Sequence, residues 1–448
     1  MRPSFENTQY SENLFGYQRE DGLTLIYEQD PQAEVAAIGF WFRHGSRDEG
    51  EREKGFAHFL EHMLFKGTAK RTARDIACEI DRLGGVINAG TEKELTTIYT
   101  VLPADFLDLA LDVMCDLSFQ ATLLESEIAK EKIVVENEIC AVEDTPEEKG
   151  FEVFLSLIWQ KHPLAFKIAG EVKNIKEIER ERLFTFYRRF FQPGRLLVTA
   201  AGPAPPSKIW EELNRRLNAY TQGLVFSREN LLRTPPPFFS GLARLADRFQ
   251  QVQIYYACNL LRPKHVRDYY QQLIFSSAFG EAMGSRLFQR IREEEGLCYS
   301  IYASRSYFSD TSLWTIHAST MPHLCERLLE ALARELDCLR YEHLSPKEIA
   351  DAKLQAKGSL ILSRQDMEVR MKRLARQFIA LGQVFSHHDS LKMIEDVTIE
   401  EVANQIEALF KDQRAALLVF GAKDKPRLSL NRFKELYQLP LFKLHTLV

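Results

Sequence analysis

Two apolar runs constrain the fold more than any other feature: RLLVTAAG, closing at Gly202, and RAALLVFGAKD, whose apolar part closes at Gly421. Each stands near the end of a block in which strand-like and helix-like segments alternate, one over roughly 15–225 and the other over roughly 240–435. Such recurrence points to two similarly built α/β halves. Between them lies SRENLLRTPPPFFSG, whose Pro235, Pro236 and Pro237 favour a stiff, extended linker over 226–239.

The chain of 448 residues is 45% hydrophobic and 27% charged, enough apolar mass for two or three cores and too much for a disordered chain. Acidic residues outnumber basic ones, 63 to 58, and no Lys/Arg block is long enough to track a phosphate backbone, so no nucleic-acid partner is expected. Seven scattered cysteines form no CxxC pair, which argues for buried thiols in a reducing compartment. The first twenty residues carry charges and no continuous apolar core, and no uncharged apolar run approaches the length of a membrane span. A soluble cytoplasmic protein with no membrane partner is the expectation.

Leu23 to Gln29 and Val35 to Gly45 read as adjacent strands joined by a polar turn. Residues 53–66 switch to helical period, with Gly67 as the stop, and Thr72 opens a second helix that ends at Gly84 and Gly85. Strands at Val86 to Asn88 and Leu95 to Leu102 follow, then long helices at 104–119 and 122–142.

The first of these helices carries the chemistry. In His58-Phe59-Leu60-Glu61-His62 the two histidines are one helical turn apart on one face, so both imidazoles can meet one ion, and Glu61 flanks that face. The pattern is the inverted zincin signature. Zinc takes nitrogen and oxygen ligands and, in catalytic sites, keeps one position open. A third ligand must come from elsewhere, and Glu127 to Asp144 offers carboxylates. Glu131 and Glu138, about two turns apart, share a face; Glu138 is the preferred ligand and Glu131 its supporting partner, orienting a histidine or tuning the field. Glu136, on a different face, is not rejected by spacing alone. Glu61 is then the natural general base for a water attacking a peptide carbonyl. No serine sits in a G-x-S-x-G elbow, and nothing marks a thiol nucleophile.

With these residues in view the chain resembles the pitrilysin-type (M16) zinc metallopeptidases, in their short-chain branch, which includes the mitochondrial processing peptidase β subunit and bacterial relatives. His58, Glu61, His62 and Glu138, with Glu131 seven positions before the last, match the family's arrangement, and Asp144 and Pro146 follow. Met63 to Thr68, Asn88-Ala89 with Thr91, His162-Pro163, Gly170, Tyr187, Pro193 and Gly202 resemble further family blocks, so the likeness covers about 400 of the 448 residues. In the second half, Gly280 to Ala303 is similar to the segment that supplies the family's arginine and tyrosine. The resemblance implies two homologous metallopeptidase domains with mixed or antiparallel sheets and packed helices. It also implies that Arg292 holds a substrate carbonyl or backbone, that Tyr299 stabilises the oxyanion, and that Asn88 and Ala89 bind an extended peptide on an edge strand. Departing from the family's run of glycines, Glu281, Ala282 and Met283 separate Gly280 from Gly284, and Glu293, Glu294 and Glu295 follow Arg292.

The activity implied is that of a zinc-dependent endopeptidase, hydrolysing peptides or unfolded segments inside a clamshell chamber. A chain with half the units of the larger members needs a second copy, and since both residue sets lie on one chain a homodimer is expected. The alternatives are a non-catalytic or partner-dependent scaffold subunit, whose mark would be a lost ligand, and a chance HxxEH in an α/β binding module.

Overall fold

The computed structural model describes residues 6–224, 233–411 and 414–422. In chain order the first part runs β1 (Glu6–Ser11), β2 (Leu14–Gln18), β3 (Thr24–Gln29), β4 (Val35–Phe42), α1 (Phe56–Leu64), α2 (Ala73–Asp81), β5 (Val86–Thr91), β6 (Thr96–Pro103), α3 (Leu107–Gln120), α4 (Glu125–Asp144), α5 (Pro146–Trp159), α6 (Val172–Lys176), α7 (Arg180–Phe190), β7 (Leu196–Gly202) and α8 (Pro206–Thr221). The second part runs β8 (Gly241–Leu245), β9 (Val252–Asn259), α9 (Val266–Ser276), β10 (Ser300–Tyr307), β11 (Ser312–Thr320), α10 (Cys325–Glu342), α11 (Pro346–Ser363), α12 (Met367–Leu381), α13 (His387–Asp396), α14 (Ile399–Lys411) and β12 (Ala415–Gly421). Of the expected linker, 226–232 lie outside the described residues, as do 423–435 of the second block; 233–239 form neither helix nor strand.

The repeat read from β7 and β12 is written in the strand order. One sheet runs β1-β2-β3-β7-β4-β6-β5 and the other β8-β12-β9-β11-β10, read from its opposite edge. In each, the late apolar strand is inserted parallel to the first strand of its repeat, β7 beside β3 and β12 beside β8. All other pairs are antiparallel, so both sheets are mixed, and the first adds the β1-β2 hairpin. This corrects the reading of β3 and β4 as neighbours: β7 separates them. It can do so because every one of its residues is buried, as suits a strand covered on both faces.

The chain folds into two compact units that exchange segments: one holds 6–140, 166–224 and 361–386, the other 141–165, 233–360, 387–411 and 414–422. In the first unit, Leu25, Tyr27, Ile38, Phe40, Phe42 and Val198 pack one sheet face against α1, α3, α7 and α8. The alternate residues Ile26, Ala37, Trp41, Leu197 and Ala201 pack the other face against Met371, Leu374 and Ala375 of α12, a helix from the far end of the chain. Gly39 permits this approach, since a Cβ there would lie 2.6 Å from Met371 Sδ. The second unit is built alike: Ile254, Tyr256, Trp314, Ile316 and Leu417 pack against α9, α10 and α14, while Tyr255, Ala257, Leu418 and Phe420 take Phe154, Leu155 and Ile158 of α5. There the close approach is at Gly150, whose Cβ would lie 2.7 Å from the Tyr255 hydroxyl. Among the described residues no helix is long and apolar enough to cross a membrane.

Candidate active site

Helix α1 owes its orientation to its period. Phe56, Phe59, Leu60, Met63 and Leu64 recur at three- and four-residue steps and are buried in the core of the first unit, which turns His58, Glu61 and His62 to the opposite, partly exposed side. Its first turn is held by a side chain from outside the helix. The Glu49 carboxylate, only 5% exposed, accepts the Gly55 N–H at 2.9 Å and the Ala57 N–H at 2.8 Å. It thereby satisfies backbone donors that the helix leaves unpaired at its start. Burial pushes the Glu49 pKa well up, against the pull of those two N–H groups.

Opposite α1, helix α4 presents Glu131 and Glu138 on one face. Glu138 Oε2 lies 3.1 Å from His58 Nε2 and 3.4 Å from His62 Nε2. One potential ligand atom from each of the three residues lies within 4.8 Å of the other two, and no other such group occurs among the described residues. Atoms bound tetrahedrally to one zinc at about 2.0–2.1 Å stand roughly 3.3 Å apart, so the spacing and the chemistry of this donor set fit that ion. Glu136 stands outside this group and lies 3.7 Å from Lys176 Nζ.

Around this centre the remaining groups are tied down. His62 Nδ1 bonds Glu131 Oε1 at 2.8 Å, and Glu131 Oε2 takes Lys66 Nζ at 2.6 Å. If Nδ1 carries the proton in this bond, the Nε2 lone pair of His62 would be left available to a metal, the usual carboxylate–histidine arrangement. Glu61 Oε2 accepts the Thr91 hydroxyl at 2.6 Å and lies 3.8 Å from His58 Nδ1. Burial opposes the charge of His58, but its contacts with Glu61 and Glu138 outweigh that and raise its pKa. Burial also opposes the Glu61 carboxylate, and the neighbouring His58 together with the hydrogen bond from Thr91 outweighs it and lowers its pKa.

Strand β5 lies at the edge of the sheet, beside α1, and carries Asn88 and Ala89. Asn88 is exposed and its Oδ1 accepts the Ala89 N–H at 2.8 Å, while Ala89 packs on the core. Arg292 and Tyr299 belong to the second unit. Arg292, in a π-helical stretch (Phe288–Glu294), sits over the Phe288 ring at 4.4 Å; Tyr299, 80% exposed, precedes β10 and donates its N–H to Ser319 O. Gly280 ends against β10, where its Cβ would lie 2.7 Å from the Ala303 Cβ, and Glu281 forms a two-bond ion pair with Arg305. Sequence reasoning gave no part to Glu49, Lys66 or the Thr91 hydroxyl. Thr91 was visible as part of a family-like block, whereas a glutamate seven positions ahead of a helix carries no local signal.

Residues 24–172 match the family model described as Insulinase (Peptidase family M16), which includes His58, Glu61, His62, Glu131 and Glu138. Residues 177–356 match the model described as Peptidase M16 inactive domain. The chain belongs to peptidase family M16. An uncharacterized zinc protease of Bacillus subtilis, YmxG, is 30% identical over 92% of this chain and 99% of its own length. Another uncharacterized zinc protease, from Streptomyces coelicolor, is 32% identical over 90% of this chain and 89% of its own. Among solved structures, a protease from Helicobacter pylori superposes with a TM-score of 0.81 at 18% identity, covering 93% of this M16 chain and 99% of that one. The peptidase M16 inactive domain from Pseudomonas fluorescens gives a TM-score of 0.83 at 18% identity, covering 93% and 100%. These two likenesses bear on the fold.

Proposed function

We propose that the chain is a zinc-dependent endopeptidase acting on peptides or unfolded polypeptide segments. The observation that carries this reading is the convergence of His58, His62 and Glu138 ligand atoms beside Glu61. Membership of family M16 and relatives named zinc proteases support the broader statement, a zinc-dependent peptidase. Held by those three residues, zinc would supply Lewis-acid activation of the water and of the scissile carbonyl.

The chain's own groups do the rest. Glu61, held through Oε2 by the Thr91 hydroxyl, takes a proton from the attacking water and returns it to the departing amine. Glu131 fixes the ring of His62. The outer edge of β5 offers backbone donors and acceptors to an extended peptide, with Asn88 and Ala89 bonding its main chain. On the strength of the resemblance, Arg292 is assigned to a substrate carbonyl or backbone and Tyr299 to the oxyanion, and a cytoplasmic homodimer is the form proposed to act.

The test is hydrolysis of quenched peptides by wild type and Glu61→Gln, with zinc content measured on both. Cleavage by wild type alone, with zinc retained in both, supports the reading. Zinc bound by both with no cleavage by either would replace it with a scaffold or partner-dependent role, and no zinc after reconstitution would remove the site assignment.

A further inference from the structure

Glu61 has three rotatable side-chain bonds, the last with a broad torsional preference, so its backbone position alone does not aim its oxygens. In this fold one oxygen is claimed. Thr91 Oγ1 lies 2.6 Å from Glu61 Oε2 and 3.5 Å from Ala57 O, so its single proton goes to the carboxylate. Among the described residues Glu61 Oε1 forms no hydrogen bond. Thr91 is well suited to the task because β-branching makes it stiff at χ1 and because it ends β5 in register with Thr96.

The separation between Thr91 and Glu61 is itself fixed by a loop that grips both elements. Ser46 N–H bonds Glu92 O at 3.1 Å and Arg47 N–H bonds Lys93 O at 2.8 Å, directly after Thr91. Gly45 lets the loop come this close, since a Cβ there would stand 2.2 Å from Glu92 O. Three residues beyond Ser46, Glu49 holds the first turn of α1. The end of β5 and the start of the helix bearing Glu61 are thus anchored to one segment.

We propose that Thr91 is a positioning residue for peptide hydrolysis: its hydroxyl holds Glu61 by Oε2 and so presents Oε1 to the attacking water. The inference rests on the zinc-peptidase reading above and adds that the strand accepting the peptide also aims the base. Substrate register and base geometry then share one element, and a small error in that geometry is costly to turnover.

Thr91→Val keeps the branched shape and removes the donor, while Thr91→Ser keeps the donor. Both are compared with wild type for kcat and KM on a quenched peptide, for zinc content and for thermal melting. The expected result is that T91V loses about 10- to 100-fold in kcat, with KM within about twofold, zinc retained and an unchanged melt, and that T91S recovers kcat to within about threefold. A T91V kcat within about threefold of an active wild type overturns the proposal and leaves the peptidase reading standing. So does a loss that T91S shares, or one that comes with lost zinc, raised KM or a lowered melt. A wild type that cleaves no peptide is recognised before any variant is made and removes both readings.

Discussion

Replacing Glu131 by glutamine tests how the proposed zinc site is supported. The Glu131 side chain is 5% exposed and divides its oxygens, Oε1 to His62 Nδ1 at 2.8 Å and Oε2 to Lys66 Nζ at 2.6 Å. Glutamine preserves the shape and can still accept from His62, but the bond is no longer charge-assisted. A charged hydrogen bond contributes about 1.5–3 kcal/mol against about 0.5–1.5 for a neutral one, so the histidine loses about 1–1.5 kcal/mol of support. Removing a buried negative charge beside a dication adds to this, and the sum corresponds to a zinc Kd weaker by about 10- to 100-fold. The Lys66 ammonium, 31% exposed, can turn to water at little cost, so Lys66→Met should change the Kd by no more than about threefold. Competition against a chromogenic chelator at neutral pH measures both variants. A Glu131→Gln Kd within twofold of wild type would refute the argument, and an equal loss in Lys66→Met would move the effect from the carboxylate to the lysine.

Three further outcomes follow from other parts of the fold. Glu49→Ala leaves the Gly55 and Ala57 N–H groups without their acceptor in a buried place, and should cost about 2–4 kcal/mol in urea denaturation with chelator present; a loss under about 1 kcal/mol would mean that water replaces the carboxylate. Gly39→Val drives a side chain into Met371 and should destabilise by about 1–3 kcal/mol and speed proteolysis ahead of α12, whereas unchanged proteolysis would deny that α12 docks at this point. Against the cost of burial, Arg286 and Ser345 hold the Glu348 carboxyl down at about 2. Its folded pKa lies below its unfolded one, so the stabilisation is complete above about pH 4.5 and is lost as pH falls toward 2. Allowing for partial exposure, Glu348→Gln should cost about 1–2 kcal/mol at neutral pH and progressively less in acid; a gap that stays constant with pH would contradict this.

Much of the site was legible in the sequence because its elements are specified locally. The spacing of Phe56, Phe59, Leu60 and Met63 predicts which side of α1 faces inward, and therefore that His58, Glu61 and His62 share the other. The continuous apolar runs at Leu196 to Gly202 and Ala415 to Gly421 likewise mark two core strands of one recurring pattern. Spacing did not extend to the partners of these elements. Glu136 and Glu138 are equally good carboxylates on one helix, and only the rotation of α4 against α1 directs Glu138 to the histidines and Glu136 to Lys176.

By itself, then, the sequence determined the type and period of the principal elements, the repeat, and the face that carries the histidines, since each depends on contacts one or two turns away. Tertiary structure alone decided that β7 lies between β3 and β4, that α5 and α12 each cover a sheet formed mainly by the other half of the chain, and that Glu49 and Thr91 reach α1. An apolar helix face is satisfied equally by either of two apolar sheets, and a hydroxyl or carboxylate by many donors or acceptors. The choice is made by close approach between distant residues, as where Gly39 admits Met371 and Gly150 admits Tyr255, and such approaches leave no periodic trace along the chain.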